Sequence, residues 1–175
     1  NKCLIFEYIE GHSLNKINQF QLNNDDKMKI IFQIMIIIDY LHRNNRSYRN
    51  MKPNNFILDE NKTVILTDFD HIFESSKPSS NEISKQENSN RKPFSYETDI
   101  YSLGIMIYFI FFEKEPELKI DEKTKKQKLF FKKFPPNFNK LQEICSKCTL
   151  KDASKRTNIL TIIETFYTNF FSSIS

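Results

Sequence analysis

The chain has 175 residues, 39% hydrophobic and 27% charged, which suits one soluble globular domain with a core large enough to fold alone. A net charge of +4 is too mild to argue for nucleic-acid binding. Three cysteines, Cys3, Cys145 and Cys148, exclude a disulfide framework and point to a reducing, intracellular (cytoplasmic) setting.

In chain order, Cys3 to Ile9 is a β-favouring run ended by Glu10-Gly11-His12. The chain enters it at Asn1 without a methionine, so the expectation is a fragment of a longer protein. Ser13 can cap a short helix from Leu14 to about Phe20. Asn23-Asn24-Asp25-Asp26 breaks the chain and caps a helix from about Asp26 to Arg43, with apolar residues at 30, 31, 34, 35, 37, 38 and 41. His42 is expected to cap the end of that helix. Phe56-Ile57-Leu58 and Thr63-Val64-Ile65-Leu66, joined by a polar turn, read as a hairpin.

From Glu74 to Lys92 almost nothing is apolar, so an exposed, mobile loop is expected. Asp99 to Phe112 is apolar almost all round and reads as a central buried helix. The lysine-rich stretch from Lys119 to Lys133, with Phe130, Phe131 and Phe134 interleaved, reads as the solvated face of a helix with its aromatics buried, in preference to a site for acidic partners or nucleic acid. Two more helices follow, about Phe138–Cys148 and Asn158–Phe171, the first turning Cys145 and Cys148 to the core. The apolar runs Ile30–Ile38 and Leu103–Phe112 are far short of the ~18–20 residues that span a bilayer. The fold class expected is mainly α (α+β), with small hairpins.

The chemistry concentrates in Tyr48-Arg49-Asn50-Met51-Lys52-Pro53-Asn54-Asn55, between the long helix and the first hairpin strand. Asp68 follows in Leu66-Thr67-Asp68-Phe69-Asp70. The amide oxygen of Asn55 and the carboxylate of Asp68 suit a hard cation such as Mg2+, which shares oxygen ligands with substrate phosphates. With two glycines, Gly11 and Gly104, the chain cannot build a glycine-rich phosphate cradle of its own.

These pieces, in this order, resemble the large C-terminal lobe of the eukaryotic-type protein kinase family. Residues 48–55 resemble its catalytic loop HRDLKPEN, and Asp68-Phe69-Asp70 stands at DFG. Asp99 to Gly104 is similar to DxxSxG at the start of the central helix, and Asp152 to Thr157 to DPxxRPT. The resemblance implies a hinge at 6–13, a catalytic loop at 48–55, an activation segment at 68–87, a central helix at 99–112 and a small lobe outside this chain.

It also implies roles. Phe6 is the gatekeeper. Glu7 and Ile9 offer backbone groups to adenine, and Ile57 floors the base. Asn55 and Asp68 hold Mg2+ beside ATP, and Lys52, the Ser/Thr-type lysine, neutralises the transferred phosphoryl group. Asp99 anchors the catalytic loop, and Tyr48 and Phe69 stack in the regulatory spine. Arg49 is placed to receive a phosphate on the serine-rich segment. Glu87, near the place of the absent APE triplet, is expected to pair with Arg156.

Two departures bear on activity. Asn50 replaces the aspartate that accepts the substrate proton, and loss of a general base removes ~10²–10⁴-fold. Asp70 replaces the glycine of DFG. The expectation is a pseudokinase or weakly active Ser/Thr kinase with a protein substrate or regulatory protein partner. The alternatives are an active divergent Ser/Thr kinase and a helical interaction fragment that binds no nucleotide.

Overall fold

In a computed structural model of the chain, the structure describes residues 7–74, 96–120 and 127–172. Phe6, Glu87 and the serine-rich segment lie outside them, as does most of the strand expected at 3–9; residues 7–10 carry no regular element.

The architecture is mainly α, with small antiparallel sheets. A 3-10 helix, Leu14–Gln19, follows Ser13, whose side chain accepts from Asn15 N; non-helical angles at Lys16 keep it from becoming an α-helix. Helix α1 spans Asn24–Arg43. Asn23 accepts from Asp26 N, and Asp26 accepts from Asn23 N in return, so the polar break of the sequence closes a capping box. Ile30, Ile31, Ile34, Met35 and Ile38 bury completely along one stripe. At roughly 1.5–3 kcal/mol per buried aliphatic side chain, that stripe is a main source of cohesion.

Helix α2, Tyr96–Phe112, crosses α1 and is buried nearly all round, as its composition requires. Lys27 in the first turn of α1 donates to Phe111 O at 3.0 Å and pairs with Glu113 at 2.7 Å. A buried cation thereby meets the carbonyl end of α2, where the helix dipole favours positive charge. Helix α3, Asn139–Cys148, packs on α2, and α4, Ile159–Phe170, packs on α1. Cys145 and Cys148 face the core, where burial pushes both thiols up, Cys148 to about 12.

Strand β1 (His12–Ser13) pairs with β3 (Phe56–Leu58), which pairs with β4 (Val64–Leu66) as the expected hairpin. Gln33 of α1 bridges this hairpin's turn, donating to Lys62 O and accepting from Val64 N. Strands β2 (Arg46–Ser47) and β5 (Phe73–Glu74) pair just before the 48–55 loop and just after Asp68-Phe69-Asp70.

The expectation for the lysine-rich stretch fails. The described residues of the lysine-rich stretch are not helical: Glu117–Ile120 (β6) and Gln127–Phe130 (β7) pair as antiparallel strands. Glu117-Leu118-Lys119-Ile120 alternates polar and apolar residues with the period of a strand, which the run of lysines had masked.

Candidate functional site

Asp99, fully buried in the first turn of α2, organises the loop between β2 and β3. Its Oδ2 accepts Tyr48 N at 2.9 Å and its Oδ1 accepts Arg49 N at 2.7 Å. Arg49 has φ 65°, a left-handed conformation that costs a side-chain-bearing residue roughly 1–2 kcal/mol. The buried carboxylate holds that turn in place. His42 Nε2 also lies 2.9 Å from Asp99 Oδ2, and its ring packs 4.4 Å from that of Tyr96. His42 is therefore no helix cap; the backbone N–H of Asn44 closes α1.

Tyr48 is buried, donates to Thr67 O at 2.8 Å and packs edge-on against Phe56. Desolvation pushes its phenol up to about 12, with Asp68 and Asp99 adding to the rise against the hydrogen bond of Asn55. Thr67 N in turn donates to Asn55 O at 2.9 Å. The loop and the strand leading to Asp68 are thus tied through Tyr48, Thr67 and Asn55. Ser13 Oγ donates to Pro53 O at 3.2 Å, fixing the loop's other side to the 3-10 helix.

Asn55, 5% exposed, donates Nδ2 to Asn50 O at 2.8 Å, which leaves its Oδ1 as an acceptor. Asp68 stands exposed at φ 57° in a second left-handed turn. Asn50 Nδ2 donates to Asp68 Oδ2 at 2.9 Å. Only an NH2 group can face a carboxylate in this way, so the nitrogen of Asn50 is the donor, and its remaining polar atom, Oδ1, is an amide oxygen that is no base. Nothing at the level of local sequence signals this bond, which crosses eighteen residues. Lys52 is exposed at the edge of the same loop, and Phe69 is 43% exposed.

The remaining expected positions group in two places. Pairing of His12 with Leu58 and Ser13 with Ile57 brings the 7–13 segment beside Ile57; Glu7 is exposed, and Ile9 and Ile57 are half-buried. A Cβ on Gly11 would sit 2.6 Å from Leu58 O, so only glycine lets the segment lie this close. Arg156 lies elsewhere, donating to Leu150 O and Glu97 O with its guanidinium 4.9 Å from the ring centre of Tyr101. Arg49 Nε donates to Ser47 Oγ at 3.1 Å, and burial lowers its guanidinium below the ordinary value, against the pull of Asp99.

The donors fit a hard cation: one amide oxygen and one carboxylate on adjoining turns, both oxygen ligands of the kind Mg2+ takes. Among the described residues no three His, Cys, Asp or Glu side chains gather to hold a metal. A cation here would need waters or phosphate oxygens to complete its shell, which is how Mg2+ binds with a nucleotide.

Comparison with known proteins gives a consistent result. The sequence model described as "Protein kinase domain" matches residues 1–168. The dual specificity protein kinase pyk3 of Dictyostelium discoideum is 27% identical over 192 residues, covering 99% of this chain and 14% of that protein. An Aurora kinase of Debaryomyces hansenii is 30% identical over 71% of this chain and 33% of its own length. Calcium-dependent protein kinase 6 of Plasmodium berghei is 31% identical over 73% of this chain and 9% of its own length. The chain spans a third or less of these relatives.

Proposed function

Because this chain belongs to the eukaryotic-type protein kinase domain family, we propose that it forms the large lobe of a kinase-like domain that holds Mg2+ and ATP and transfers phosphate weakly or not at all. The observation that carries this is the bond from Asn50 Nδ2 to Asp68 Oδ2 at 2.9 Å. Asn50 takes the catalytic-base position, and the lone pair of the amide nitrogen it presents there is delocalised into the carbonyl, so it accepts no proton. A substrate hydroxyl would find no proton acceptor, a loss of ~10²–10⁴-fold.

In this proposal the segment 7–13 is the hinge, with the backbone of Glu7 and Ile9 at the adenine edge and Ile57 beneath it. Asn55 and Asp68 hold Mg2+, which when bound neutralises phosphate charge. Lys52, exposed on the catalytic loop, faces the terminal phosphate as a point charge. Arg49 and Arg156 are regulatory positions, the first for a phosphate on the 68–87 segment and the second for Glu87. The protein acts in the cytoplasm on a protein substrate or as a regulatory partner of another protein.

The second reading, an active divergent Ser/Thr kinase, is favoured by Lys52 and by the relatives' names, all of them kinases. Titration of the full-length protein with ATP, with and without Mg2+, tests nucleotide holding. Saturable, Mg2+-dependent binding that Asp68→Asn weakens at least about tenfold is expected, because the cation loses its carboxylate. No binding would leave the helical interaction fragment as the surviving alternative.

A further inference from the structure

The pair of β6 and β7 takes no part in the site above, and its two strands are placed unequally. Beside β7 the chain returns to the body: Phe131 packs edge-on against Tyr108 at 5.3 Å, and Lys132 N donates to Tyr108 Oη. Strand β6 faces outward, all four residues exposed, with Leu118 and Ile120 each at 66%. Among the described residues its only strand partner is β7. Half of its backbone groups therefore point away from the sheet, and an exposed apolar edge of this kind is a ready template for another strand.

The side chains narrow the choice of partner. Leu118 and Ile120 lie two apart and share one face, beside Leu129 opposite. Lys119 lies on the other face, 4.0 Å over the ring of Phe130 and 3.3 Å from Glu117. Across β6, β7 and the residues after them, Lys119, Lys128, Lys132 and Lys133 outnumber Glu117. A second copy would bring the same basic excess to both sides, through a strand far smaller than the ~1,000 Å² a stable interface needs. A nucleic acid or lipid surface could meet the lysines but would leave the backbone edge unused.

We propose that β6 is a docking edge for an extended acidic segment of a partner protein, which adds to the pair as a third strand. The segment alternates apolar residues, beside Leu118 and Ile120, with Asp or Glu facing Lys119. Main-chain hydrogen bonds supply affinity, and the alternation supplies register.

The test is a fluorescence-anisotropy titration of the full-length protein with a labelled octapeptide of alternating Glu and Val. Saturable binding is expected, with a loss of at least about tenfold for L118S/I120S, two exposed positions whose change leaves the circular dichroism intact. N-methylation of alternate peptide amides should abolish binding without any change to the protein. The proposal is overturned if the peptide does not bind, or if the N-methylated or a Lys-Val peptide binds equally well. It is also overturned if the double variant instead impairs binding of phosphatidylserine vesicles or a single-stranded oligonucleotide, or self-association in sedimentation.

Discussion

Tyr48 ties the 48–55 loop to the strand before Asp68, since its buried hydroxyl donates to Thr67 O at 2.8 Å. Its phenol, pushed by burial to about 12, binds its proton more tightly in the folded chain than at the ordinary value of 10. The folded state thus holds more protons than the unfolded one between these values. Stability from this group is fully present below pH 10 and is lost as pH rises toward 12. Thermal denaturation of the wild type should show a falling melting temperature above pH 10. Tyr48→Phe should flatten that fall and cost about 1 kcal/mol at pH 7 for the lost hydrogen bond. An unchanged slope in the variant would mean that another group titrates.

At the scale of elements, the crossing of α2 and α3 depends on Gly104. A Cβ there would lie 2.7 Å from Cys148 Cβ and 2.7 Å from Thr149 Cγ2. Both neighbours are fixed, since Cys148 is fully buried and Thr149 Oγ1 donates to Cys145 O at 2.8 Å. Gly104→Ala should therefore force the helices apart and destabilise by about 1–3 kcal/mol, although alanine is the better helix former. Urea denaturation with an unchanged m-value measures this; a gain in stability would show that the crossing relaxes freely. The pair of β6 and β7 makes a complementary point. Net charge dominated the appearance of that stretch, but the side-chain period decided its conformation.

Across the molecule, legibility followed the range of the interactions. The bounds of α1, α2, α3 and α4 lay close to their expected places, because capping residues and apolar period are local. Asn50, Lys52, Asn55 and Asp68 stood out because charge and amide chemistry crowd a short stretch beside two left-handed turns. The bonds that give those residues their state were not legible. Asn50 to Asp68 and His42 to Asp99 join residues 18 and 57 apart, and only packing of α1, α2 and the hairpin brings them together.

The central claim is that Asn50 silences an otherwise assembled site. Its most direct measurement is phosphate transfer from Mg-ATP to a generic Ser/Thr peptide by full-length wild type and Asn50→Asp. Restoring the carboxylate supplies the proton acceptor, so the variant should exceed the wild type by ~10²-fold or more, with the wild type near background. Ordinary transfer by the wild type, unchanged or lowered in the variant, would contradict the account.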